Sequence, residues 1–309
     1  MNFYIKKLFD FLTTLLLVTV VTFVTFNVLP GNPALAILGP DAQEAQIQNM
    51  EVQLGLDKPL IVRYSNWIKN ALRGDLGISY KYNQKVSLLI YDAIKTTAFL
   101  ALISLIFTIA LGVFFGILFA RFRKILLWKS LSTLSQIWIS IPSFCTALIL
   151  ILIFSVGLKL LPSVGSSSIL SFLLPSLAIS LGSSSIFCRY IKVSIENELK
   201  QDYVRTARSK GLTENQIIIR HVLKNALIPS ITTLGLICAD IFGGSIIIEN
   251  VFSLSGVGKL IINSISSRDF PLLQGLTLYL AAITLICNFT VDILYSIIDP
   301  RIRGGKNKI

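Results

Sequence analysis

Two carboxylates, Asp240 and Asp292, stand inside long apolar runs. A charge at the centre of hydrocarbon costs roughly 2.5–3.5 kcal/mol even on a lenient insertion scale, so each should face a cavity or a polar partner. Asp240 is followed by Gly243-Gly244, small residues that permit close helix approach. It is a candidate for lining a passage through a membrane, and a hydrogen bond between helices is the alternative. Asp292 is read as structural. His221 is the single histidine, so neither a His-pair metal site nor a nucleophilic relay can form, and packing or hydrogen bonding is its expected role. Cys145, Cys188, Cys238 and Cys287 lie singly in apolar runs with no C-x-x-C spacing, as small buried hydrophobes do. Gly256-Val257-Gly258-Lys259 lacks the spacing of a phosphate-binding loop and follows no strand. These patterns predict no catalytic residue, no metal and no cofactor in this chain.

One charged island interrupts the apolar chain, from Asp202 to Pro229. Tyr203, Val204 and Ala207 fall on one helical face, with Arg205 and Arg208 elsewhere, which predicts a short amphipathic helix. Gly211 ends it, since only glycine takes the left-handed conformation at little cost. Thr213-x-x-Gln216 is a capping box that opens a second helix. Ile219, Val222, Leu223 and Ala226 mark the apolar face of that helix, and Gln216, Arg220 and Lys224 another face. Pro229 then opens the next apolar run.

The island resembles the cytoplasmic EAA loop of ABC importer permeases, in the form found in the dipeptide/oligopeptide/nickel branch, on DYVRTARSKGL and RHVLKNALIP. Gly211 and Ala207 match the broad pattern, while Arg205, Thr206 and Lys224 follow the branch's own form. Pro30-Gly31-Asn32-Pro33, Gly74-Asp75-Leu76-Gly77, the segment from Glu249 to Gly258 and Asp299-Pro300-Arg301-Ile302-Arg303 resemble landmarks of the same family, the inner-membrane components of binding-protein-dependent transport systems. The resemblance implies that Tyr203, Val204, Arg205, Ala207, Arg208 and Gly211 form a surface that couples to an ATPase. Tyr203, Val204 and Ala207 would supply its apolar contact, Arg205 and Arg208 its polar one. It further implies a second related permease, two cytoplasmic ATPase subunits that bind ATP and Mg, and an extracytoplasmic substrate-binding protein. The implied cargo is short peptides, with nickel or a metal chelate as an extension.

The elements that carry these residues are membrane spans. Of 309 residues 53% are hydrophobic and only 14% charged, too few solvating groups for a soluble chain of this length. The net charge of +12 sits in short clusters beside apolar runs, as membrane orientation demands, and not in a nucleic-acid-binding stripe. Apolar runs at Leu8–Leu29, Thr96–Ala120, Thr133–Gly157, Ile169–Cys188, Pro229–Ile248 and Gly275–Ile298 each approach the ~20 residues that cross ~30 Å of hydrocarbon. The first is read as a retained helix, being longer than a signal core of ~7–15 residues. Pro142 and Pro175 interrupt the third and fourth runs and predict kinks.

Short-loop Lys and Arg set the orientation. Arg121, Arg123, Lys124 and Lys129 fall between the second and third spans, and the island is richer still, while Lys159 stands alone in the next short loop. The N-terminus, residues 121–132, the island and the C-terminus are therefore predicted to be cytoplasmic. Residues 30–95 form a long extracytoplasmic loop with helical stretches near Ala42–Leu54 and Tyr64–Leu72, the second amphipathic through Tyr64, Trp67, Ile68 and Ala71. This loop is expected to be a small folded cap; the family resemblance implies that, with residues 249–274, it receives the binding protein, and a cap that only seals the outer mouth is the alternative.

The expected fold is an all-α integral membrane protein of the bacterial or archaeal cell membrane. It has six transmembrane helices, the architecture of a type I ABC importer permease, and a coupling loop at 202–228. The expected function is one half of a translocation pathway, driven by ATP hydrolysed elsewhere. An ion-coupled secondary transporter is the rival, and it would need coupling carboxylates and paired repeats; a non-transporting scaffold is the third possibility.

Overall fold

The computed structural model describes residues 3–28, 33–39, 41–165 and 168–298. Pro30-Gly31-Asn32 of the first landmark and all of Asp299–Arg303 lie outside the described residues. Helices make up about 80% of the described residues, and no strand occurs among them. Helices satisfy backbone polar groups internally, which hydrocarbon requires. Large apolar side chains stand exposed along them, among them Leu16, Leu17, Leu102, Leu152 and Leu236. Lipid is the solvent that tolerates such a surface.

The chain divides into two compact units, Met1–Ala98 with Leu254–Leu285, and Phe99–Ser253 with Ile286–Ile309. The first holds α1 (Phe3–Val28), α2 (Pro33–Leu38), α3 (Glu44–Gln53), α4 (Leu60–Leu72), the start of α5 (Val86–Arg121), and, from later in the chain, the helix Val257–Ser266 and the start of the helix from Phe270 to Ile298. The face of α4 with Tyr64, Trp67, Ile68 and Ala71 is its half-buried one. Tyr64 reaches Thr19 of α1 by a hydroxyl pair at 2.9 Å and sets its ring edge against Phe23, 5.3 Å between centroids. Val86, Ile90 and Ala93 bury against Val257, Leu272 and Leu276. That contact extends α5 ten residues upstream of the apolar run starting at Thr96.

Asp269 fixes the loop before α5. Its carboxylate is fully buried and accepts from Ser79 Oγ at 2.5 Å and from the Tyr80 and Lys81 amides at 3.2 Å. It also caps the last helix through the Leu272 amide at 3.3 Å. Burial, and then the nearby Asp269 charge, push the Tyr80 phenol up to about 12.

In the second unit, α6 (Leu126–Leu134), α7 (Ile137–Ser140) and α8 (Ser143–Leu150) stand where one span is expected, and a wide i→i+5 turn follows at Ile151–Gly157. Leu126–Ser140 and Ser143–Gly157 meet at 105°. The predicted kink at Pro142 is thus a break: proline removes an amide and its ring excludes the helical conformation at Ile141, which is extended at φ −84°, ψ 120°. Pro175 does not interrupt a helix. It lies in the first turn of α9 (Leu173–Glu198), where a missing amide costs nothing. Gly112 and Gly116 of α5 meet α9 so closely that an added Cβ would lie 2.6 Å from Phe187 and 2.6 Å from Ile191. Lys192 of α9 donates to Ser132 of α6 at 2.9 Å.

After α9 come α10 (Asp202–Ser209), α11 (Glu214–Ile217), a wide turn at Ile218–Val222 and α12 (Leu223–Val251). The last three form one rod, Glu214–Val251, with Pro229 inside it. The helices Val257–Ser266 and Phe270–Ile298 are α13 and α14. Among the described residues five helices are long and apolar enough to cross a membrane, and six if the broken pair counts as one span.

Candidate functional site

The island folds as α10, a turn at Gly211, and the start of the rod. Asp202 in the first turn and Arg208 in the last complement the dipole of α10. Val204 and Ala207 are buried, at 0% and 8% exposure, within the chain's own fold. They hold α10 down, so the apolar contact expected of them toward a partner is already spent inside the chain. The outer face of α10 carries Tyr203, Arg205, Thr206, Arg208 and Ser209. The Tyr203 hydroxyl donates to Glu198 Oε2 at 2.6 Å and accepts from Asn225 Nδ2 at 3.4 Å, tying α10 to the end of α9 and to α12. Partial burial, and then that bond to Glu198, raise the Tyr203 phenol above its ordinary range.

Gly211 has φ +79° and open space where a Cβ would lie, so its constraint is conformational and not steric. The Thr213 hydroxyl accepts from the Gln216 amide at 3.4 Å while Gln216 Oε1 accepts from the Thr213 amide at 3.0 Å, completing the capping box. Across the turn Arg208 Nε donates to Glu214 Oε1 at 2.7 Å, and this bond raises the Arg208 guanidinium further. Hydrogen bonds therefore clamp α10 to the rod on both sides of one glycine.

The buried face at the start of the rod is Ile217, Ile218, Val222 and Ala226, while Ile219, expected on that face, is 61% exposed. The wide turn at Ile218–Val222 places an extra residue in the repeat and rotates Ile219 outward. His221 is exposed too, so it does not pack inside the described fold of this chain.

Further along the rod, Asp240 is exposed and lines a cavity of about 270 Å³ with Trp138, Pro142, Ser143, Thr146, Ser183 and Gly244. It is the one charged residue among those lining the cavity, which forms where the third span breaks. Among the described residues, and apart from the helix's own backbone, nothing lies within 4 Å of a Cβ at Gly243 or Gly244, so these glycines do not serve a close helix contact there. Leu236, Asp240, Gly243 and Ile247 instead make an exposed stripe along one side of α12. Cys238 and Cys287, far apart in sequence, bring their sulfurs to 3.9 Å as free thiols.

Comparison with known proteins decides what these parts belong to. The profile described as "Binding-protein-dependent transport system inner membrane component" matches residues 112–304, and "Binding-prot-dependent transport system membrane comp, N-term" matches residues 1–101. The chain belongs to this family. The permease is 36% identical over 303 residues to the "Glutathione transport system permease protein GsiC" of Escherichia coli strain K12, covering 98% of this chain and 99% of the relative. The protein of that name from Salmonella choleraesuis strain SC-B67 is 37% identical over the same span. Among solved structures, "Inward facing conformations of the MetNI methionine ABC transporter: CY5 SeMet soak crystal form" matches with TM-score 0.59 at 17% identity, over 69% of this chain and 97% of that one. At that identity the likeness concerns the fold.

The permease is thus a multi-pass membrane component of an ABC importer and not an enzyme, in a family whose systems include an ATPase and a substrate-binding protein. Asp269 escaped the sequence reading although an N-cap signal was present, an aspartate just before the Phe270-Pro271 helix start. The cavity beside Asp240 left no such mark, because a proline in an apolar run does not reveal a bend of 105°.

Proposed function

We propose that the permease forms half of the translocation path for short peptides and that α10 receives the stroke of a cytoplasmic ATPase. The observation that carries this reading is mechanical. α10 is clamped to the foot of a helix that continues without a break from Glu214 to Val251 and carries Asp240 into the cavity. Displacing α10 moves the wall of the path with it, because a helix transmits force along its length better than a loop does.

In this reading Tyr203, Arg205 and Arg208 meet the ATPase, Val204 and Ala207 keep α10 seated, and Gly211 sets its angle. Asp240 lines the path. A second related permease supplies the other half, two ATPase subunits bind ATP and Mg, and the binding protein delivers cargo to the opposite side. The short-loop Lys and Arg support an island and two termini in the cytoplasm, with residues 30–95 outside. Glutathione, named for the relatives, is a tripeptide, which supports peptide cargo. Nickel or a metal chelate has no such support.

The test is reconstitution of the permease with its partner permease, ATPases and binding protein in proteoliposomes. ATP-dependent accumulation of labelled glutathione or of other di- and tripeptides is expected. Uptake by this chain alone under an ion gradient would instead establish a secondary transporter. Failure of the full assembly to move any solute would leave a scaffold.

A further inference from the structure

The second unit holds another cavity, about 460 Å³, beside the coupling turn. Arg121, Arg123, Lys124 and Arg208 line it with a single acid, Glu214. Glu214 is bonded to Arg208 and its charge also acts on Arg121 and Arg123, so four cations share one carboxylate among the lining residues and the cavity keeps an excess of positive charge. Arg121 Nε is shielded from solvent and has no hydrogen-bond partner. A donor left in that state loses the bonds it would make to water, and an anion in the cavity restores them.

The surroundings say what kind of anion fits. Arg121 is the last residue of the 36-residue apolar helix α5, so it stands where hydrocarbon gives way to water. Trp128 stacks on Phe122 at 5.5 Å, an aromatic pair typical of that boundary. Directly beside the cations, Ile125, Leu126 and Leu127 are 48%, 77% and 63% exposed. A ligand with a phosphate at one end and an acyl chain at the other satisfies both neighbours at once.

We propose that the cavity is a binding site for the phosphate headgroup of an anionic lipid, with the acyl chain along Leu126 and Leu127. The site touches Arg208, one half of the clamp across Gly211. A bound headgroup shares Arg208 with Glu214 and thereby sets how firmly α10 is held. That consequence for coupling rests on the function proposed above; the lipid site itself does not.

The experiment takes the complete transporter into nanodiscs of phosphatidylcholine, with or without phosphatidylglycerol, and counts retained lipid by native mass spectrometry. Arg123→Gln with Lys124→Gln changes only exposed side chains, so the fold is preserved. Lys129→Gln, on α6 and outside the cavity, is the control. Wild type should retain phosphatidylglycerol over phosphatidylcholine, the double variant should lose that preference by roughly fivefold per cation removed, and the control should keep it. Adding inorganic phosphate to the discs that contain phosphatidylglycerol separates headgroup from free phosphate. Displacement of phosphatidylglycerol at millimolar phosphate would assign the cavity to the free ion and overturn the lipid site. Unchanged retention in the double variant would also overturn it. So would unchanged retention with lost ATPase co-purification, which would mean that the cations meet acidic groups of the ATPase. Gly211→Val distinguishes the two claims, because a variant with normal coupling and normal lipid retention would defeat the coupling role of α10 and leave the lipid site standing.

Discussion

Asp240 and Asp269 are two carboxylates with opposite environments, and their substitutions should separate accordingly. Asp240 lines a cavity with no opposing charge among its walls, so Asp240→Asn removes a charge that faces the path and leaves the volume unchanged. Uptake or peptide preference should change while assembly and ATP hydrolysis stay at wild-type levels, as measured in proteoliposomes. Reduced assembly with unchanged preference would make the residue structural. Asp269→Ala should instead lower the thermal midpoint of the purified complex, because it orphans the Ser79 hydroxyl in a buried place and the Tyr80 and Lys81 amides in a partly buried one. Each orphaned buried donor costs roughly 1–3 kcal/mol. Ser79→Ala should cost less than Asp269→Ala, and equal midpoints for wild type and Asp269→Ala would contradict the clamp. Asp240 was legible in the sequence because an apolar run leaves a carboxylate nowhere to hide. Asp269 was not, since it looks like any solvated loop acid and its loop partners are 188 to 190 residues away.

At the scale of elements, two glycine positions give a contrast that tests the packing. An added Cβ at Gly116 would lie 2.6 Å from Ile191, whereas one at Gly243 meets nothing. Overpacking of this kind costs typically 1–3 kcal/mol, so Gly116→Ala should destabilise the permease and Gly243→Ala should not. Thermal unfolding of the two variants side by side checks this, and equal loss in both would refute the described α5–α9 contact. Apolar length and the charged island made most helices readable. Their continuity was not, because periodicity marks which residues share a face and says little about where the backbone bends. Pro229, which looked like a boundary, sits inside a helix, while Pro142 breaks one at 105°. Both are prolines in apolar runs, yet the residue before Pro142 is extended while Pro229 is carried within α12, a difference that apolar pattern does not encode.

For the whole molecule, the short-loop charges make a firm expectation: a reporter active only in the cytoplasm should be active when fused at Met1 or Ile309. Labelling of a cysteine placed at the exposed Ser209 from outside sealed cells would reverse the orientation. The coupling role of α10 is the claim on which the transport cycle depends, and Gly211 tests it most directly. With φ +79° it charges any L side chain about 1–2 kcal/mol for the turn, a factor of roughly 5 to 30 in the population of the seated helix. The decisive measurement is substrate taken up per ATP hydrolysed in proteoliposomes containing Gly211→Val. The variant should insert and assemble, and this ratio should fall by a factor in that range. An unchanged ratio, with wild-type hydrolysis and co-purification, would mean that α10 is not the element through which the ATPase moves the path.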